Sequence, residues 1–327
     1  MERLLVGLLV VLAACALEGS TAAAPSELVA TSDSATSDSA PTFTTIAALP
    51  DRYPVTVADD LGDVSIGSQP VAIISLSPTA TEMLFAIGAG DQVLAVDSLS
   101  NFPPEAPLDP DLSAWSPSVE SIIGMEPDLV VINSDPGDLV AGLNAAGIPV
   151  ITQLVVADLE GAYHQMEQLG VATNREGEAS VLITQMRSDI AEIVASVPNH
   201  LVALTYYHEL DDTLYSVTSK TFIGQVYSLL GLENIADPAD DGSAYGYPQL
   251  SAEYLVDADP DFIFLADTRC CSATAESVAE RDGWSGLRAV VTDSVVELDD
   301  DVTSRWGPRI VDYLQIVANA MMGVEVE

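Results

Sequence analysis

Few residues in this chain have the type and spacing for chemistry. Cys270 and Cys271 are neighbours in a chain of three cysteines. In an oxidising compartment such a pair can close a vicinal disulfide; two free thiols or a bridge to another chain satisfy the same spacing. His164, His200 and His208 are scattered without ligand-type spacing and read as surface or loop residues, and no His adjoins the cysteines, so no metal site is expected. Gly-x-Gly-x-x-Gly, a P-loop, Gly-x-Ser-x-Gly and His-Glu-x-x-His are absent, so neither a cofactor nor an enzymatic activity is expected. Glu82 stands one turn into a helix start of small and apolar residues. Thr79-x-x-Glu82 fits a capping box, yet Ser77-Pro78 offers a competing N-cap from which Glu82 lies too far along to reach back.

The element around Glu82 organises the chain. Val71 to Leu76 is β-branched and apolar, as a buried strand requires. A helix follows, with Met83, Leu84 and Ile87 on one face and Gly88 at its end. The theme repeats, with strands expected at 93–96, 128–132 and 149–152 and helices from Ser116-Pro117 and over 139–146. A hairpin, 53–57 with 64–66, precedes them. Such β/α alternation over short loops means a parallel sheet covered on both faces. From 174 to 197, Val181, Leu182, Ile183, Met186, Ile190, Ile193, Val194 and Val197 keep helical spacing, which predicts one long helix. Beyond it the alternation resumes: strands at 201–206, 262–265 and 295–298, helices at 222–230, 251–256 and 308–322.

The chain's ends and its charge give it an address. Arg3 and the apolar run Leu4 to Leu12 form a signal peptide over 1–14, too short to span a bilayer. Leu12-Ala13-Ala14-Cys15 has the form of a bacterial lipobox, which implies cleavage before Cys15 and a lipid on its sulfur. Residues 15–50, rich in Ser, Thr, Ala and Asp, lack the apolar area to fold and read as a tether. Ten basic residues face 50 acidic ones, for a formal charge of −40. A surface this acidic repels nucleic acid and anionic lipid heads and resembles surfaces adapted to salt. Contact with the membrane is therefore expected through a lipid anchor alone, on the outer face of the cell membrane.

Several blocks, taken in order, resemble the cobalamin/iron-siderophore class of ABC-transporter substrate-binding proteins, within it the vitamin B12-binding branch. They are Ser75 to Glu82, Ser100-Asn101-Phe102-Pro103-Pro104, and Glu120 with Glu126-Pro127-Asp128-Leu129-Val130. In the second half come Phe222 to Gly231, Glu233-Asn234-Ile235, Pro248 to Glu253, Asp259-Pro260-Asp261 and Arg305-Trp306-Gly307-Pro308-Arg309. The resemblance covers about 53–322. It implies two Rossmann-like α/β lobes with parallel sheets, the class III binding-protein fold: lobes over 51–173 and 198–327, a rigid linking helix over 174–197, and ligand held between the lobes. It further implies a monomer that captures a metal chelate, a ferric siderophore or cobalamin, and delivers it to an ABC permease and its ATPase. A haem-binding import protein and a ligand-sensing receptor are the alternatives. By position in the class motifs, Glu82 and Glu253 would be exposed carboxylates docking onto permease arginines. Leu99, Trp115, Tyr247, Asp301 and Arg305 would line the ligand cleft. Leu99 replaces an aromatic, while Trp115 and Tyr247 keep stacking surfaces for a planar ligand. Arg305 would hold a phosphate or carboxylate, or else close a surface ion pair with Asp301.

Overall fold

The computed structural model describes residues 52–201 and 203–323. The signal peptide, Cys15 and the tether lie outside the described residues. Strands β1 (Val55–Asp59) and β2 (Gly62–Ile66) form the expected antiparallel hairpin. The first lobe then alternates β3 (Ile73–Leu76), α1 (Pro78–Ala86), β4 (Val93–Val96), α2 (Val119–Gly124), β5 (Leu129–Ile132), α3 (Leu139–Ala145) and β6 (Val150–Thr152). Two helices follow, α4 (Leu159–Thr173) and α5 (Glu176–Ser196). The second lobe holds β7 (Thr205–Glu209), α6 (Phe222–Leu229), β8 (Glu233–Asn234), α7 (Ala252–Ala258), β9 (Phe262–Leu265), α8 (Thr268–Cys271), α9 (Ala275–Ala279), α10 (Arg288–Val291), β10 (Val295–Glu297), α11 (Asp300–Thr303) and α12 (Ile310–Gly323).

Both four-stranded sheets are parallel and share one topology. The first runs β4-β3-β5-β6 and the second β8-β7-β9-β10, so each lobe places its strands in the order second, first, third, fourth. The central strands are apolar because helices cover both faces. Ile73 and Leu76 are buried at either end of β3, and Phe262 to Leu265 are buried along all of β9. In open α/β sheets the crevice at the carboxyl ends of the strands, where the order reverses, is where ligands bind.

The long helix spans what the spacing predicts, one or two residues shorter at each end. Its buried stripe is Ala179, Ile183, Met186, Ile190 and Ile193, each worth up to a few kcal/mol of apolar burial. It packs on α4 and on α12. Gly170 permits the first contact: a Cβ there would stand 2.9 Å from that of Ala179. Asn174, at φ 61°, ends α4 instead of opening α5.

Three local expectations need correction. The helix after Trp115 begins later, capped by Ser118, whose side chain accepts from the Ser121 amide. Helix α4 is not foreseen, because its buried face mixes Tyr163, Met166 and Leu169 with Gln165 and Gln168. The strand expected at 201–206 starts at Thr205 and runs on through His208 and Glu209. Leu201 lies in a 3₁₀ turn and Ala203 has φ 71°, which stops the strand from starting earlier. Pairing with β9 carries it on, and a half-buried arginine neutralises the buried Glu209.

Candidate functional site

The carboxyl-end loops of the first sheet build a small pocket. Pro78, at the start of α1, meets Asp97 and Leu99 from the loop after β4, Ala114 and Trp115 from the loop before α2, and Asn133 and Ser134 after β5; together they line about 220 Å³. Trp115 is 81% exposed and Leu99 49%, so neither is a core residue. Underneath runs a buried polar chain. The Thr81 hydroxyl donates to Ser75 Oγ at 2.9 Å, and the Ser100 hydroxyl to Asp97 Oδ1 at 2.6 Å. Burial pushes the Asp97 carboxyl above its ordinary range, an effect that the Ser100 hydroxyl and the Arg305 charge oppose.

Glu82 faces inward, contrary to the exposed carboxylate expected there. Ser77 is the N-cap of α1, accepting from the Ala80 amide at 3.2 Å, so Glu82 has no capping duty. It is 3% exposed. Its Oε1 accepts from Arg305 Nη1 at 2.9 Å and from Arg309 Nη2 at 2.5 Å, and its Oε2 from Arg309 Nε at 3.0 Å. Arg305 also donates to Asn101 Oδ1 at 3.1 Å, to the Leu99 carbonyl at 3.0 Å and to Asp301 Oδ1 at 2.7 Å. Those four bonds occupy its Nη hydrogens. The expected surface pair with Asp301 thus exists, but around a guanidinium only 6% exposed. Asn101 Nδ2 reaches Asp301 Oδ2 at 2.8 Å, and Arg309 Cζ stands 4.3 Å over the Phe102 ring.

Two sequence blocks therefore meet across the lobes: Ser100 to Pro104 from the first and Arg305 to Arg309 from the second. Every non-proline residue of the second block makes a contact there. The Trp306 indole donates to Gln165 Oε1 at 2.7 Å. Gly307 lies so close to Glu82 that a Cβ would stand 3.3 Å from Oε2. Sequence reasoning missed Arg309. The available signal was two arginines four apart around Trp-Gly-Pro, in a chain with only ten basic residues. Glu82, Phe85, Phe102, Pro103, Pro308 and Arg309 also line a cavity of about 220 Å³ beside this contact.

The remaining residues of interest lie in the second lobe and stay apart from the first pocket. Tyr247, 38% exposed, stands in the loop before α7. Glu253 is exposed in the first turn of α7, where Ser251 caps the helix. Cys270 and Cys271 are joined by a disulfide in α8, with Cα atoms 3.8 Å apart. Asp300 accepts from the Cys270 amide at 2.8 Å, and Arg269 Nη1 donates to Asp301 Oδ2 at 2.6 Å, which links this turn to the lobe contact. Deeper lies a pair not foreseen: Glu209 accepts from Arg281 at 2.5 and 2.6 Å. Beside it, burial and the Glu209 charge push the Asp267 carboxyl up to about 7, and neither of its oxygens has a hydrogen-bond partner. His208 is not a surface residue. It is fully buried with Nδ1 2.7 Å from the Tyr227 hydroxyl, and burial lowers its pKa to about 3. Among the described residues no group of three or more His, Cys, Asp or Glu side chains could hold a metal ion. Nor is any helix among them long and apolar enough to cross a membrane.

Residues 73–302 match the family model described as periplasmic binding protein. An ABC transporter substrate-binding lipoprotein of Bacillus subtilis, YvrC, is 30% identical over 82% of this chain and 86% of its own length. A cobalamin-binding protein of Halobacterium salinarum is 30% identical over 82% of this chain and 74% of its own. Among solved structures, the periplasmic vitamin B12-binding protein BtuF of Vibrio cholerae superposes with a TM-score of 0.63 at 25% identity, over 77% of this chain and 96% of that one.

Proposed function

The chain belongs to the periplasmic binding protein family, and from that premise we propose that it is the extracytoplasmic substrate-binding lipoprotein of an ABC importer, taking a metal chelate between its lobes and delivering it to a permease and its ATPase. Its family and relatives are substrate-binding transport proteins and not enzymes. The observation that carries the reading is the exposed Trp115, set in the loop before α2 beside Leu99 and Pro78. A large indole left open to water on a preformed wall is what a planar ligand stacks on. Corrinoids and haem meet that description with their flat macrocycles, whereas a ferric siderophore would rest on the indole by apolar contact alone. Similarity to a cobalamin-binding relative over most of both chains favours the corrinoid.

In this reading Trp115, Leu99 and Tyr247 supply the ligand's walls. Arg305 and Asp301 act as positioning residues, since their hydrogen bonds are spent on Leu99, Asn101 and Glu82. Glu253 is the carboxylate free to dock onto a permease arginine. Docking at Glu82 requires permease arginines to exchange with Arg309 and Arg305, so it would also open the lobe contact. Cys15 carries the lipid anchor on the outer face of the membrane, and the protein acts as a monomer. The test is direct. Purified protein is incubated with cyanocobalamin, haem and ferric hydroxamate siderophores, freed of unbound ligand, and its absorption spectrum recorded. A stoichiometric chromophore is expected; co-elution of none of them would sink the proposal.

A further inference from the structure

Asp97 lines the pocket beside Trp115, and one of its carboxylate oxygens is buried with no hydrogen-bond partner. Asp97 follows β4 directly and is 1% exposed. Its Oδ1 accepts from Ser100, while Oδ2 has no hydrogen-bond partner. Buried polar atoms are nearly always satisfied, and one left open beside a pocket marks a place for a donor from outside. The pocket, at about 220 Å³, is smaller than the roughly 300–1,000 Å³ that encloses a whole small-molecule ligand. It fits one arm of a large ligand. Its other walls are the side chains of Pro78, Leu99, Ala114 and Trp115, with Asn133 and Ser134 at one end. No cation lines it to receive an anion, and the chain around it has a formal charge of −40.

We propose that this pocket receives a single nitrogen-bearing arm of the captured chelate, a carboxamide or an ammonium, with Asp97 Oδ2 accepting its N–H and Trp115 covering its apolar stem. The inference rests on the chelate-import reading and narrows it. A peripheral carboxylate placed there would meet the Asp97 carboxyl with no countercharge among the lining residues. Chelates with carboxamide peripheries, such as corrinoids, are therefore selected over those with carboxylate peripheries, such as haem. Asn133 and Ser134 can either donate or accept, so they do not discriminate; Asp97 does.

The experiment is a calorimetric titration of the full chain with cyanocobalamin and with each of its monocarboxylic acids, in which one peripheral carboxamide is hydrolysed. At least one monoacid should bind wild type 10-fold or more weakly than the parent amide. Asp97→Asn, with an unchanged circular dichroism spectrum, should narrow that ratio to within threefold. The wild-type comparison needs no variant to fold. Equal binding of amide and all acids by wild type, or the same ratio in Asp97→Asn, overturns the arm assignment and leaves chelate capture standing. Tighter binding of haem than of cyanocobalamin does the same. Binding of none of these chelates overturns the import reading, and this inference with it.

Discussion

Arg305 Nη1 donates to Glu82 Oε1 at 2.9 Å across 223 residues of sequence. Both side chains are almost wholly buried, at 6% and 1% exposure. A buried charge is tolerable when its partners are in place, and removing one partner strands the other. Arg309 completes the arrangement from the same turn, so one carboxylate of the first lobe answers two guanidinium groups of the second.

Glu82 and Glu253 should consequently behave differently when truncated. Glu82→Ala leaves two arginines without their carboxylate and should lower unfolding free energy by about 3 kcal/mol, read as a lower urea midpoint. Glu253→Ala removes an exposed side chain and should move that midpoint little, while permease-stimulated ATPase activity falls. Equal stability of wild type and Glu82→Ala would mean that the buried network contributes nothing.

Trp115→Ala should separate binding from folding. The ring is 81% exposed, so the melting temperature should stay where it is. Affinity for cyanocobalamin should fall by about 1–2 kcal/mol through lost stacking. Isothermal titration and differential scanning calorimetry on one preparation give both numbers. Unchanged affinity would move the ligand to another wall.

Asp267 makes a prediction about pH. Its folded-state pKa, raised to about 7, lies above the unfolded value of roughly 3.9. The folded state therefore holds the extra proton between these two values, and stability falls as pH rises through that window. The contribution is fully present below about pH 4 and lost by about pH 8, on the order of 2–4 kcal/mol. Asp267→Asn, which cannot ionise, should flatten this part of the profile and be the more stable form at pH 8. Chemical denaturation of both proteins from pH 4 to 8 checks it, and parallel profiles would refute it.

Salt is the fourth lever. With 50 acidic residues against 10 basic, self-repulsion should be screened as the Debye length shrinks from about 10 Å at 0.1 M to about 3 Å at 1 M. The melting temperature should rise over that interval in sodium chloride. A flat or falling curve would show that the charges are already balanced locally.

Local spacing was enough to specify much of this protein. Ser77-Pro78 caps α1 in the structure, the stripe from Ala179 to Ile193 makes α5, and Phe262 to Leu265 is a buried strand, each because burial imposes a period that the residues themselves display. The alternation of such units already implied two parallel α/β lobes. What the tertiary structure decided was the fate of the charges. Glu82 looks from sequence like a helix-start acid, and only the packing of one lobe on the other brings Arg305 and Arg309 to it. The end of β7 was hidden for a related reason: Glu209 can lie inside a strand only because Arg281, 72 residues away, neutralises it. Asp97 and Asp267 are buried like Glu82 and Glu209, and nothing in their local sequence sets them apart from the exposed acids. A hydrophobic period is written along a single element, whereas the partner of a buried charge comes from a distant one, and no spacing rule reaches across that distance.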